Sequence, residues 1–227
     1  MIYFVTGTDT DSGKTLVSAS LLFKAAGKKC GFKPIASGCD ETHEGLRNSD
    51  ALALMAQSNM GLNYEKINPI TFKPAIAPHI AAQQVGMQLS AQQTLALLDI
   101  DLLQRADFAL IEGAGGWRLP LGNGEYLSDT VQLLNKQLNK LQPQQELQVI
   151  IVVGMKLGCL NHALLTVEAV QADGLTIGGW VANQVDANMS EVEANLSSLK
   201  ALMPGKFLGY VPFLPQPSVQ NAAQYLS

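Results

Sequence analysis

The stretch Gly7-Thr8-Asp9-Thr10-Asp11-Ser12-Gly13-Lys14-Thr15 combines glycines, a lysine and a threonine in the order that cradles a phosphate. In such a loop successive backbone N–H groups curl around an anion, a helix N-terminus adds partial positive charge, and Lys14 adds a full one. Thr15 would offer its hydroxyl to a magnesium ion bridging the phosphates. The usual loop has four residues between its glycines; here five separate Gly7 from Gly13, and Thr8 stands where the first glycine is expected. The simpler alternative is a glycine-punctuated strand–helix turn that carries Gly-Lys-Thr by chance.

Other charged and amide residues fall where apolar runs end. Phe108–Ile111 runs into Glu112-Gly113-Ala114-Gly115-Gly116, an acidic residue placed as nucleotide-hydrolysing enzymes place a magnesium ligand, with glycines that let backbone approach a ligand. Lys33, in Gly31-Phe32-Lys33-Pro34, would aim an ammonium at the same crevice, and Ile35-Ala36-Ser37-Gly38 after it reads as a second anion-contacting loop. Ser49 and Asp50 read first as the cap and first turn of a helix, with metal ligation of Asp50 as the alternative. Asn183-Gln184-Val185-Asp186 is an imperfect match to the base-reading Asn-Lys-x-Asp element, with Gln184 at the lysine position.

These residues need a scaffold that gathers strand ends. Ile2–Val5, Phe108–Ile111, Val149–Val153, Ile177–Ala182 and Phe207–Val211 are nearly continuous apolar runs, as in a parallel sheet covered on both faces. Helical spacing marks Lys14–Ala26, Ala91–Arg105, Leu160–Val170 and Ser190–Leu202. The alternation predicts an α/β fold: one doubly wound, mostly parallel sheet flanked by helices, in a single domain over residues 1–227. Residues 35–86 read as active-site loops with one helix near Ser49–Gln57, and 134–148 as a helix end followed by a surface loop.

Composition narrows the partners. A net charge of −4 with 15% charged residues argues against nucleic-acid or anionic-membrane binding. No apolar run is long enough to span a bilayer, and no leader precedes the first strand, so a cytoplasmic location is expected. Cys30, Cys39 and Cys159 form neither a disulfide framework nor a zinc pattern with His43, His79 and His162.

Taken in order, these segments resemble the dethiobiotin synthetases. The resemblance is carried by Val5–Thr15, Gly31–Gly38, Gly45–Ala51, Ala77-Pro78-His79, Ile111–Trp117, Val152–Ala163 and Gly179–Asn183. It implies a homodimeric, ATP- and Mg2+-dependent ligase that closes a cyclic urea on 7,8-diaminononanoate with CO2, releasing ADP and phosphate. By matching position it implies that Lys14 and Lys33 clamp phosphates and the carbamate. Thr15, Asp50 and Glu112 would ligate magnesium, and Ser37 would contact substrate. ATP would lie along Asp11, Ser12, Gly13, Lys14, Thr15, Leu16 and Glu112, Gly113, Ala114, Gly115, with Asn183, Gln184 and the turn Pro212, Phe213, Leu214 framing the adenine. Gly158, Cys159, Leu160 and Asn161 would hold the substrate's carboxylate tail across the dimer interface. Asp11 stands where the family usually has Glu, and Ser12 where Val is common. Two other enzyme types share parts of this pattern: a cobyrinic acid a,c-diamide synthase, for which the chain is short, and a ParA/MinD-type switch ATPase, whose extra loop lysine is replaced here by Asp9 and Asp11.

Overall fold

Helices cover both faces of one parallel sheet, which is why its strands could be written in nearly unbroken apolar residues. The computed structural model describes residues 1–142 and 146–227. The chain starts with β1 (Ile2–Gly7), α1 (Lys14–Lys24) and β2 (Lys29–Phe32). Small elements follow: β3 (Ile35–Ser37), β4 (Asp40–Thr42), β5 (Gly45–Arg47), α2 (Ser49–Gln57), α3 (Tyr64–Ile67), β6 (Ile70–Phe72) and α4 (Pro78–Gln84). Then come α5 (Ala91–Ala96), α6 (Ile100–Arg105), β7 (Phe108–Gly116), β8 (Pro120–Gly122), β9 (Glu125–Tyr126) and α7 (Leu127–Leu141). Regular alternation closes the chain with β10 (Leu147–Met155), α8 (Cys159–Ala172), β11 (Thr176–Gln184), α9 (Val192–Leu202), β12 (Lys206–Val211) and α10 (Val219–Ala223).

The sheet order is β12-β11-β10-β1-β7-β2, with every neighbouring pair parallel. From β1 the chain moves outward to β2 and returns through β7, then crosses to β10 on the other side. The carboxyl end of β1 is therefore the topological switch point, where open α/β sheets bind ligands. Side chains alternate between two cores. Phe4, Ile111, Ile151 and Trp180 pack with α5 to α9, whereas Val5, Leu110, Val152 and Val181 pack with α1, α10 and Leu54 of α2.

The structure departs from the sequence reading in several places. The helix expected over Ala91–Arg105 is broken, because the Asp99 side chain accepts the Leu102 N–H at 3.1 Å and starts α6 afresh. Leu95, Leu98 and Leu102 nonetheless all face the core, so the periodicity survived the break. The region over 35–86 has the expected helix at Ser49–Gln57 but also a parallel pair β3–β6, a hairpin β4–β5 and helices α3 and α4. The three-residue strands are too short to show a period. α7 is a full helix whose Leu127, Val131, Leu134 and Leu138 line one buried face. The surface loop expected to follow it falls in part on 143–145, outside the described residues. β7 and β11 run past their expected ends, so Glu112, Asn183 and Gln184 lie within strands. Among the described residues no helix is long and apolar enough to cross a membrane.

The Leu102 N–H first, and Lys66 next, hold the Asp99 carboxyl below its usual value. Its capping contribution is therefore present above the ordinary Asp value and lost as pH falls through the lower folded one. Asp99→Ala is expected to lower stability by about 1 kcal/mol near neutral pH in urea denaturation. The difference from wild type narrows as pH falls below about 4; a gap that keeps its size in acid would place the effect elsewhere.

Candidate functional site

The loop after β1 is held from three sides. Thr8 donates its N–H to Val152 O at 3.0 Å and accepts the Gly154 N–H on its hydroxyl at 3.2 Å, so the residue in the missing glycine's place ties the loop to β10. Asn183 Nδ2 donates to Ser12 O at 2.9 Å. Gly13 has φ 83°, and a Cβ there would lie 2.0 Å from Asn183 Nδ2, so glycine is required on both counts. Asp11, at φ 58°, is also left-handed, and such alternation turns successive N–H groups inward into an anion nest. Lys14 is 7% exposed and its Nζ donates to Asp9 O at 3.0 Å. Burial first, and Lys33 second, pull the Lys14 pKa below its ordinary value.

A buried cluster faces this loop. Glu112 is fully buried; its Oε1 accepts from Lys33 Nζ at 2.7 Å and from Thr15 Oγ1 at 2.8 Å. Lys33 Nζ also donates to Asp50 Oδ2 at 3.0 Å and to Gly113 O at 3.1 Å. Register explains the meeting: Phe32 of β2 pairs with Ile111 of β7, so the next residues along, Lys33 and Glu112, come together. Burial by itself would lower the Lys33 pKa, but Glu112 and then Asp50 outweigh it and the ammonium is stabilised. Burial would raise the Asp50 pKa, yet Lys33, by charge and hydrogen bond, brings the carboxyl below its usual value.

Among the described residues Glu112 Oε2, Ser12 Oγ and Ser37 Oγ are buried without a hydrogen-bond partner. An orphaned carboxylate oxygen with no solvent is costly and asks for a cation. Two carboxylates and the Thr15 hydroxyl are hard oxygen donors, a set that fits Mg2+ completed by water and phosphate oxygens. Among the described residues no group of three or more His, Cys, Asp or Glu side chains could form an all-protein cage.

A cleft of about 870 Å³ opens over the loop. Thr10, Asp11, Gly13, Lys14 and Thr15 form one wall; Lys33, Ser37, Gly38 and Asp50 form another. Ala36, Asn48, Ser49, Ala75–Pro78, Ala114, Gly115 and Leu119 complete it. Asp50 is not the helix cap: Asn48 Oδ1 accepts the Asp50 and Ala51 N–H groups at 3.1 and 3.3 Å, which leaves the Asp50 carboxylate for Lys33. Leu16 packs towards the Val5 core rather than lining the cleft. Gln184 accepts from Tyr210 OH at 2.6 Å and Phe213 N at 3.3 Å, so it fastens the Pro212-Phe213-Leu214 turn. Gly158, Cys159, Leu160 and Asn161 do not line the cleft. Cys159 points into the core and donates its N–H to Lys156 O, while Gly158 and Asn161 are exposed beside Leu157 at 96% exposure.

Sequence reasoning passed over Asn48, whose place just before a helical run is a cap signal. It also passed over Lys156, which pairs with Asp9 at 2.8 Å and for which local sequence holds no signal.

A strand–loop–helix phosphate nest beside a buried carboxylate, at the switch point of a parallel sheet, defines a P-loop nucleotide-dependent enzyme. A family model described as "AAA domain" matches residues 2–221. ATP-dependent dethiobiotin synthetase BioD of Cellvibrio japonicus (strain Ueda107) is 50% identical over 227 residues, covering 99% of this chain and 94% of that protein. The protein of the same name from Pseudoalteromonas translucida (strain TAC 125) is 48% identical over 217 residues, covering 94% and 91%. The chain belongs to the dethiobiotin synthetase family. Among solved structures, a MinC:MinD cell division protein complex from Aquifex aeolicus superposes with TM-score 0.55 at 15% identity, over 98% of this chain and 86% of that one. A ParA family ATPase from Chlorobium tepidum TLS gives TM-score 0.53 at 11% identity, over 98% and 89%. At such identities these two share the fold alone.

Asn183→Asp keeps an oxygen acceptor but loses the donor to Ser12. Calorimetric ADP affinity is expected to fall roughly tenfold, the size of one buried hydrogen bond replaced by repulsion. Unchanged affinity would mean that the loop holds its shape without this bond.

Proposed function

We propose that this chain, as one catalytic unit over residues 1–227, is an ATP- and Mg2+-dependent ligase that converts 7,8-diaminononanoate and CO2 into dethiobiotin, ADP and phosphate. The observation that carries the reading is the Lys33 ammonium, held by Glu112, Asp50 and Gly113 O beside the phosphate loop and facing the cleft. Family membership supplies the substrates.

The chemistry asks for the charges this site holds. One substrate amine adds to CO2 and loses a proton, giving a carbamate. That anion is a poor electrophile, because oxide would have to leave. Transfer of the ATP γ-phosphoryl group to a carbamate oxygen releases ADP and gives a carbamic–phosphoric anhydride. The second amine attacks its carbonyl, phosphate departs with the C–O electron pair, and the amine gives up a proton as the five-membered urea closes. The protein's part is positioning and neutralisation of charge on the transferring group.

Lys14 and Lys33 supply cationic charge to the phosphates and the carbamate. Thr15, Asp50 and Glu112 would hold Mg2+, which would offset charge on the β- and γ-phosphate oxygens. Asp11 and the N–H groups of Ser12, Gly13 and Thr15 border the phosphates, with Gly113–Gly115 opposite. Ser37 Oγ, which lacks a protein partner among the described residues, is suited to a substrate oxygen or amine. Asn183 Oδ1 is left over after its amide binds Ser12 and can accept from an adenine amino group; Gln184 acts by holding the Pro212–Leu214 turn. The start of α8, Gly158–Asn161, where Gly158 and Asn161 are exposed, would take the substrate carboxylate in the cleft of a second copy, in a cytoplasmic homodimer. The N–H groups of Leu160 and Asn161 open that helix and are the available donors.

The test is a turnover assay with ATP, Mg2+, 7,8-diaminononanoate and bicarbonate, reading the cyclic urea by mass. ATP hydrolysis indifferent to the diamine would reject the reading. Lys14→Ala and Lys33→Ala are each expected to lower turnover by at least roughly a hundredfold, as loss of a preorganised charge at the reacting centre does; Lys33→Ala also lowers the melting temperature, because it leaves Glu112 buried without its cation. Glu112→Gln is expected to raise the Mg2+ requirement, and an unmoved metal titration would remove Glu112 from the ligand set.

A further inference from the structure

A chain of buried hydrogen bonds joins the backbone of Lys33 to the start of the helix that carries Asp50. The Lys33 N–H donates to Ile67 O at 2.8 Å, and its carbonyl accepts from Asn68 Nδ2 at 2.6 Å. Tyr64 OH donates to Asn68 Oδ1 at 2.8 Å and accepts the Asn48 N–H at 2.6 Å. Asn48 Oδ1 completes the chain at the Asp50 and Ala51 amides. Asn48, Tyr64 and Asn68 are 5%, 5% and 2% exposed.

α3, a single turn of four residues, is too short to persist by itself and is committed at both ends to this chain. Burial raises the Tyr64 pKa, so the phenol keeps the proton it donates to Asn68. The Arg47 guanidinium, 4.3 Å from the Tyr64 ring centre, holds the ring from the other side. Packing alone has no use for the hydroxyl. Phenylalanine would fill the same space and leave the Asn48 N–H and Asn68 Oδ1 unpaired.

We propose that Tyr64 and Asn68 are positioning residues for the reaction, setting the spacing of Lys33 and Asp50 and with it the geometry in which Asp50 and Glu112 receive a divalent cation. Neither side chain lines the cleft, so both act through Lys33 and Asp50. The proposal rests on the reading of Asp50 as a metal ligand.

The experiment measures Mn2+ alone, titrated into the full-length chain and read by electron paramagnetic resonance, for wild type, Tyr64→Phe, Asn68→Ala and Asp50→Asn. Tyr64→Phe is expected to weaken Mn2+ roughly tenfold, the size of one buried hydrogen bond lost. Metal-free ADP affinity stays within about twofold, because the phosphate loop lies on other elements. The Mg2+ concentration for half-maximal turnover rises in parallel, and added Mg2+ restores part of the rate; a merely structural role would lower melting temperature without that split. Asn68→Ala cuts the same bridge at its other end and carries the test if Tyr64→Phe fails to fold. In the unaltered protein, slow hydrogen exchange at the Asn48 amide supports the bridge, and exchange at the rate of an exposed amide overturns it. A folded variant with wild-type Mn2+ affinity overturns the proposal. If Asp50→Asn weakens Mn2+ while Tyr64→Phe does not, positioning fails and the metal reading stands; if neither does, both fall.

Discussion

A carboxylate buried away from solvent is costly unless a partner is held against it, and Glu112 is fully buried. Its compensation is Lys33, itself 3% exposed and reaching Glu112 at 2.7 Å. This pair ties edge strand β2 to β7, and Asp50 and Thr15 bring α2 and α1 to the same point. Much of the architecture around residues 30–70 can be understood as support for that meeting. α3 grips the Lys33 backbone, and Asn48 caps α2 so that the Asp50 carboxylate remains available. Breaking one member would leave an uncompensated buried charge, which is far more damaging than losing a surface ion pair.

The phosphate loop obeys a second constraint, close approach. Gly7, Gly13 and Gly154 each lack a Cβ where a neighbouring residue presses in: Ser12 Oγ at 2.2 Å, Asn183 Nδ2 at 2.0 Å and Ser12 Cα at 3.1 Å from the places those Cβ atoms would take. Gly154 pairs with Asn183 in the sheet, so the Asn183 side chain reaches across the end of β10 to the loop. Thr8 gives up the flexibility of glycine but gains the bond from Gly154 N. The variant spacing is thus accompanied by a specific set of anchors.

Lys33 and Glu112 were legible in the sequence because each follows an apolar run and strand ends converge in a parallel sheet, whereas Lys14 was legible from the Gly-Lys-Thr of the loop. Asn48 escaped attention because Ser49 and Asp50 are themselves good N-terminal residues and a one-residue shift in the cap changes what Asp50 is free to do. Asn68 and Tyr64 gave no signal: their partners lie up to 35 residues away, and a buried amide looks like any loop asparagine. The break at Asp99 was hidden by leucines that keep helical spacing across it. Gln184 stood at a base-reading position in the motif, yet Tyr210 and Phe213 claim its side chain, a contact set by the neighbouring strand β12.

The wide sequence separation within the site has a bearing on how the chain folds. Thr15 and Lys33 lie 97 and 79 residues from Glu112, and Ser12 lies 171 from Asn183. Joining such points requires closing long loops, whose entropy must be met before any reward from the contact. The burial of Glu112 depends on the parallel pairing of β1 and β2 with β7, strands far apart in the chain. Desolvation of these charges therefore belongs to closure of the sheet and not to any local element of the chain.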